Sequence, residues 1–130
     1  MIANKVFVGY DTREDIAYQV CEHSIYQHNK DIEVVPLKQQ ELRDNKLYWR
    51  GEDKLASTEF TFTRFLIPHL MNYEGWALFC DSDIVFLEDV DNLFALRDDK
   101  YAVMCVQPVS YTHLRAHETD SYLVCRLLLE

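Results

Sequence analysis

Two short apolar runs separated by one helix-length segment open the chain, and this spacing constrains everything after it. Residues 4–10, NKVFVGY, contain an apolar run closed by Gly9. Ile32–Pro36 is a second run, ended by proline. Between them, from about Arg13 to His28, Ile16, Val20, Ser24 and Ile25 with Ala17 and Cys21 recur at the helical period. Strand, helix, strand in this order predicts a parallel pair, hence an α/β fold with a mostly parallel sheet and flanking helices. Tyr10, Asp11 and Thr12 fall in the loop after the first strand. Asp11 or Thr12 can cap the helix, and Glu14 and Asp15 place carboxylates in its first turn, where the helix dipole favours them.

The pattern continues with less regularity. Residues 37–57 are polar and mixed, a short helix or irregular connection anchored by Leu42, Leu47, Tyr48 and Trp49. Phe62, Phe65, Leu66 and Leu70 then fall at helical spacing, with Ser57 or Thr58 as N-cap. Pro68 lies inside that helix, so it should kink or tighten near residues 64–68. Asn72–Gly75 ends it, and Trp76–Cys80 is a third strand. Ile84–Leu87 continue extended, Asp89–Leu96 form a short helix, and Tyr101–Val106 form a fourth strand. There is no internal repeat. Residues 108–130 leave the pattern, with helical spacing possible from Tyr111 onward.

Charge narrows the function classes. The 130 residues suit one domain, and a formal net charge of -9 offers no basic stripe for nucleic-acid phosphates. A phosphate ligand would need a metal ion to carry much of the neutralisation. No apolar segment approaches the roughly 20 residues of a transmembrane span. The N-terminus reads as a first strand and not as a signal peptide. Cys21, Cys80, Cys105 and Cys125 form no CxxC pair and read as free thiols of a reducing, cytoplasmic compartment.

The chemistry concentrates in WALFCDSDIV, residues 76–85, where an apolar strand ends in Asp81 and Asp83. Carboxyl ends of strands are where open α/β sheets bind ligands. In extended backbone, residues two apart point the same way, so the two carboxylates would repel unless a hard cation joined them. Oxygen donors suit Mg2+ or Mn2+, and those ions also hold phosphates. The plain alternative is a turn with solvated aspartates.

STEFTFTRFLIPHLMNYEGWALFCDSDIVFLEDVDNLF resembles the core of bacterial glycosyltransferases of the GT-A fold, similar to glycosyltransferase family 8, and VFVGYDTRED resembles their first strand and nucleotide-binding loop. The resemblance covers about residues 4–107. It implies a Rossmann-like nucleotide-diphospho-sugar transferase, a UDP-sugar donor and retention of the anomeric configuration. By that resemblance, Asp81 and Asp83 bind Mn2+ or Mg2+, and Asp81 also lies near the donor ribose. Tyr10 and Asp11 hold the base and ribose, and Arg64 reaches the nucleotide or phosphates. Ser57 and Thr58 fall near the donor-facing start of the Arg64 helix. The plain alternatives are a helix N-cap for Asp11 and a solvated charge for Arg64. Glu88, Asp89 and Asp91 read as helix-start carboxylates. The acceptor, a glycan or lipid-linked sugar, is not legible.

The family's downstream metal-ligating histidine has no counterpart after Val106, so residues 1–107 are expected to be the donor-binding part of a truncated domain. VSYTHLRAHETDSYLVCRLLLE resembles a translated sequencing adapter, which makes residues 108–130 an expected non-native tail. His113, His117 and Glu118 within it are at metal-ligand spacing. Two other function classes stand beside the transferase. Asp81-Ser-Asp83-Ile-Val85 also fits the nucleophile motif of haloacid dehalogenase-like phosphatases, with Asp81 attacking phosphorus. The third class is a truncated, inactive nucleotide-binding module, whose interrupted parallel sheet would leave an unpaired edge.

Overall fold

The computed structural model describes residues 3–48 and 62–105, and the backbone of 125–129. Strand β1 (Lys5–Gly9) leads through a 3-10 turn at Thr12–Glu14 into α1 (Asp15–His28), then β2 (Glu33–Leu37) and the short α2 (Gln39–Asp44). A 3-10 turn (Thr63–Leu66) precedes α3 (Ile67–Leu70), which feeds β3 (Trp76–Cys80). Next come α4 (Asp91–Phe94), β4 (Val103–Cys105) and β5 (Cys125–Leu129).

The five strands form one sheet in the order β2-β1-β3-β5-β4. β1 pairs in parallel with β2, Val6 opposite Val34, and in parallel with β3, Val6 opposite Leu78 and Val8 opposite Cys80. β5 runs antiparallel to both β3 and β4, so β4 shares the direction of the first three strands. The expected mostly parallel α/β sheet is therefore the fold.

Alternation along β1 and β3 divides the core between two faces. Val6, Val8, Trp76, Leu78 and Cys80 pack with Tyr18, Cys21 and Ile25 of α1 and with Phe94 of α4. Phe7, Ala77 and Phe79 pack on the opposite side against Ile67 and Met71. Every residue of β3 is buried, as a strand covered on both faces must be.

Pro68 acts as expected: it stands in the first turn of α3, and the preceding residues tighten into the 3-10 turn. Its helix starts no earlier than Thr63 in the described residues; the caps expected at Ser57 and Thr58 lie outside them, as do Trp49 and the His113–Glu118 segment. Asn72 and Tyr73 take φ of 54° and 58°, and Gly75 φ of 77°, to turn the chain from α3 into β3. Asn72 and Gly75 suit that left-handed backbone; Tyr73 adopts it against its steric preference.

Two expectations are corrected. Ile16 and Val20 face solvent, 78% and 49% exposed, and the inward stripe of α1 is Tyr18, Cys21, Ser24 and Ile25. At 100° per residue, Ile16 lies about 180° around the helix from Ile25, so the two cannot share a face. The second concerns residues 108–130, where the sequence leaves the α/β pattern and allows helical spacing from Tyr111 onward. β5 inserts between β3 and β4 and covers the edge of β3 that would otherwise be open. Pairing of this kind is backbone chemistry: an open edge accepts extended chain with little regard to its side chains.

After β3 the chain runs back along α1 as a strap. The buried Phe86 N–H donates to Ser24 Oγ at 2.9 Å, and that hydroxyl donates to the Cys21 carbonyl at 2.7 Å. Further along, Asn29 Nδ2 donates to Asp89 Oδ1 at 2.9 Å, which also accepts the Asp91 N–H. Ser24→Ala would leave the Phe86 N–H buried without an acceptor. The expected loss is about 1–3 kcal/mol in denaturant unfolding, with faster amide exchange at Phe86.

Candidate functional site

In a sheet ordered β2-β1-β3, the strand order reverses at β1, and the crevice at the carboxyl ends of β1 and β3 is the switch point. Register brings Val8 opposite Cys80. The next residues on each side are the Gly9–Asp11 segment and Asp81. Tyr10 and Asp11 therefore leave the sheet beside Asp81, although about 70 positions separate them in the chain.

Tyr10 is held on three sides. Its ring meets the Tyr18 ring edge-on, with centroids 5.4 Å apart and planes at 72°. Its hydroxyl donates to Asp15 Oδ1. The Lys38 ammonium sits 5.1 Å from its centroid, a cation–π contact. The hydrogen bond from Tyr10, then that from Gln19, and the charge of Lys38 hold the Asp15 carboxyl below its ordinary value, against the effect of burial. Burial and the Glu22 carboxylate push the Tyr18 phenol far above its usual range, so it stays a donor.

Asp11 is 1% exposed, and both its oxygens are engaged. Oδ1 accepts from the Arg13 backbone N–H and from Arg13 Nε, each at 2.9 Å, and Oδ2 accepts from Nη2 at 2.6 Å. The N-cap role is thus present. The bidentate guanidinium places a cation at the carboxyl end of β1. Nothing in the residue pattern singled out Arg13, but a basic residue two positions after a strand-end aspartate was a readable signal.

Arg64 is half-buried in the 3-10 turn, its guanidinium 5.1 Å from the Phe79 ring centroid. It is not a freely solvated helix charge. Phe79 and Asp81 are two residues apart on β3 and its continuation, so Arg64 is stacked next to the strand end that carries the aspartates.

The aspartate pair differs from the extended geometry expected of it. Ser82 and Asp83 form a turn. Asp81 is half-buried, Asp83 is exposed, and Ser82 between them is 1% exposed with an Oγ that has no hydrogen-bond partner among the described residues. Thr63 Oγ1, beside Arg64, is likewise buried without a partner. The hydrogen bond with Cys80 holds the Cys21 thiol below its ordinary value, against burial and the nearby charges of Asp83 and Glu22.

Among the described residues no three His, Cys, Asp or Glu side chains gather to hold a metal ion. Among the described residues the Asp81–Asp83 turn offers a cation two hard carboxylates, which leaves waters and phosphate oxygens for the remaining positions. That donor set fits Mg2+ or Mn2+, which are commonly bound by one or two carboxylates plus substrate phosphates.

A cavity of about 290 Å³ adjoins Tyr10, lined also by Thr12, Lys38, Gln39, Gln40 and Glu41. Its size is at the lower end for a small-molecule site. In the sequence Lys38 is one of many polar residues in the 37–57 connection and carries no motif of its own. Its position one residue beyond β2, at the same end of the sheet as Tyr10, was the available signal. Tyr10→Phe is expected to raise the Asp15 pKa toward its ordinary 3.8, read by carboxyl carbon NMR titration. A depressed folded pKa adds stability that is present above the ordinary value and lost as pH falls through the folded one. The variant should therefore lose part of its acid-side dependence between those two values, the part left being due to Gln19 and Lys38.

No protein-family description matches the chain. Protein CDI of Arabidopsis thaliana is 55% identical over 104 residues, 79% of this chain and 40% of that protein. The chain thus spans well under half the length of this relative. The solved apo structure of the WbbM bifunctional glycosyltransferase superposes with a TM-score of 0.59 at 22% identity, over 81% of this chain and 23% of that one. The likeness establishes a glycosyltransferase-like fold. No helix among the described residues is long and apolar enough to cross a membrane.

Proposed function

We propose that residues 1–107 are the donor-binding part of a metal-dependent glycosyltransferase that takes a nucleotide-diphosphate sugar, a UDP-sugar by family resemblance, and transfers the sugar to an acceptor hydroxyl. One observation carries the reading. The Tyr10–Asp11 loop and the Asp81–Asp83 turn leave adjacent parallel strands at the switch point of a glycosyltransferase-like sheet.

In this reading Tyr10 and its cavity receive the nucleoside, and Asp81 and Asp83 hold Mn2+ or Mg2+ against the diphosphate. The bound ion would supply Lewis-acid stabilisation of the departing phosphate. Arg64 and Arg13 add fixed positive charge at the strand ends, which favours a diphosphate on a chain whose net charge is -9. The acceptor, a glycan or lipid-linked sugar, and the residue that takes its proton belong to parts of the protein beyond the donor half. A cytoplasmic setting fits the buried Cys21 and Cys80, which are thiols and not a disulfide. Residues 108–130 are read as foreign to the domain.

Isothermal titration of the chain with UDP in Mn2+ tests this account. Binding should weaken about tenfold or more on Asp83→Ala, and chelating the metal should weaken the wild-type chain equally. Undiminished UDP binding in either case would sink the metal–diphosphate reading.

A further inference from the structure

We propose that Lys38 selects the nucleobase of the donor: its ammonium, over the Tyr10 ring in the adjoining cavity, favours a base whose pairing edge sets a carbonyl next to a ring N–H over one that sets an amino group next to an unprotonated ring nitrogen. This rests on the donor-site reading and adds to it the residue that sets base preference.

The placement of Lys38 is fixed by the fold. Leu37 before it is 1% exposed and anchors the end of β2. The Lys38 N–H donates to the Pro36 carbonyl at 3.0 Å, and its own carbonyl accepts the Leu42 N–H at 3.0 Å. The side chain is half-buried and reaches back over Tyr10. Tyr10 itself cannot turn away, being held by Tyr18 and Asp15. Tyr10 is itself buried, 9% exposed, so a flat heterocycle in the adjoining cavity of about 290 Å³ meets the Lys38 ammonium that covers the ring.

The polar groups of the cavity then decide which heterocycle. A lysine ammonium carries three donors and no acceptor. No carboxylate lies within ion-pair distance of Lys38 among the described residues, so its N–H groups are not already consumed. Glu41, on the same lining, is an acceptor only when ionised. A donor-only group and an acceptor-only group on one cavity lining match a ring carbonyl next to a ring N–H, the edge of uracil and of guanine. Cytosine and adenine present the reverse, an amino group next to an unprotonated ring nitrogen. Their amino group would oppose the ammonium, and a mismatched polar edge is rejected more strongly than a missing apolar contact.

Titration of the chain with UDP, GDP, CDP and ADP, all in Mn2+, tests the assignment. Wild-type chain should bind UDP and GDP about tenfold or more tightly than CDP and ADP. Lys38→Met should bring the four within about twofold while nucleotide binding persists, Lys38→Arg should keep the preference, and Lys38→Glu should shift it toward CDP. Circular dichroism and thermal melting check that each variant is folded, and Glu41→Gln, on the exposed side of the cavity, gives an independent narrowing of the preference. A preference unchanged in Lys38→Met and Lys38→Glu overturns the role of Lys38 and leaves the donor site standing. Binding of none of the four nucleotides by the wild-type chain overturns the donor-site reading and this inference with it.

Discussion

Strand β1 has a parallel partner on each side, β2 and β3, and the candidate site depends on that double pairing. Parallel strands end on the same side of the sheet, so the loops that follow them cluster there. Because β2 and β3 lie on opposite flanks of β1, their crossovers diverge and leave a crevice at the carboxyl ends. Tyr10, Lys38 and Asp81 are each within one residue of the end of one of these strands. A shift of β1 against β3 would separate the Tyr10 loop from the aspartates, and burial on both faces resists such a shift.

Charge at this end is arranged in engaged pairs. Asp11 is closed by Arg13, Asp15 by Tyr10 and Gln19, and Arg64 is stacked on Phe79. Asp83 stands exposed at the turn, and Ser82 is buried beside it with no hydrogen-bond partner for its hydroxyl among the described residues. Two arginines and a lysine stand among Asp11, Asp15, Asp81 and Asp83 at the strand ends, so cations offset carboxylates there, while the overall charge of -9 repels polyanions such as nucleic acid.

The legibility of the fold followed the strength of its local signals. Trp76–Cys80 was readable residue by residue, because a fully apolar run between Gly75 and an aspartate has few alternatives. Pro68 announced the 3-10 turn through its missing N–H. The face of α1 was misjudged because Ile16, Val20 and Ile25 are all apolar, and only packing on the sheet selects the Tyr18–Cys21–Ile25 stripe. β5 was missed because no local period distinguishes a strand that joins by edge pairing. In the site, Asp81 and Asp83 were visible from type and spacing, whereas the turn that separates their environments was not.

The sequence by itself determined that the chain builds parallel α/β units and that its chemistry sits after the third strand, because helical period, strand length and a carboxylate pair are local properties. Tertiary structure alone decided that Tyr10, Lys38, Arg64 and Asp81 share one end of one sheet. Which strands become neighbours, and in which register, depends on burying both faces of β1 and β3 at once, and that is a property of the packed chain and not of any segment in it.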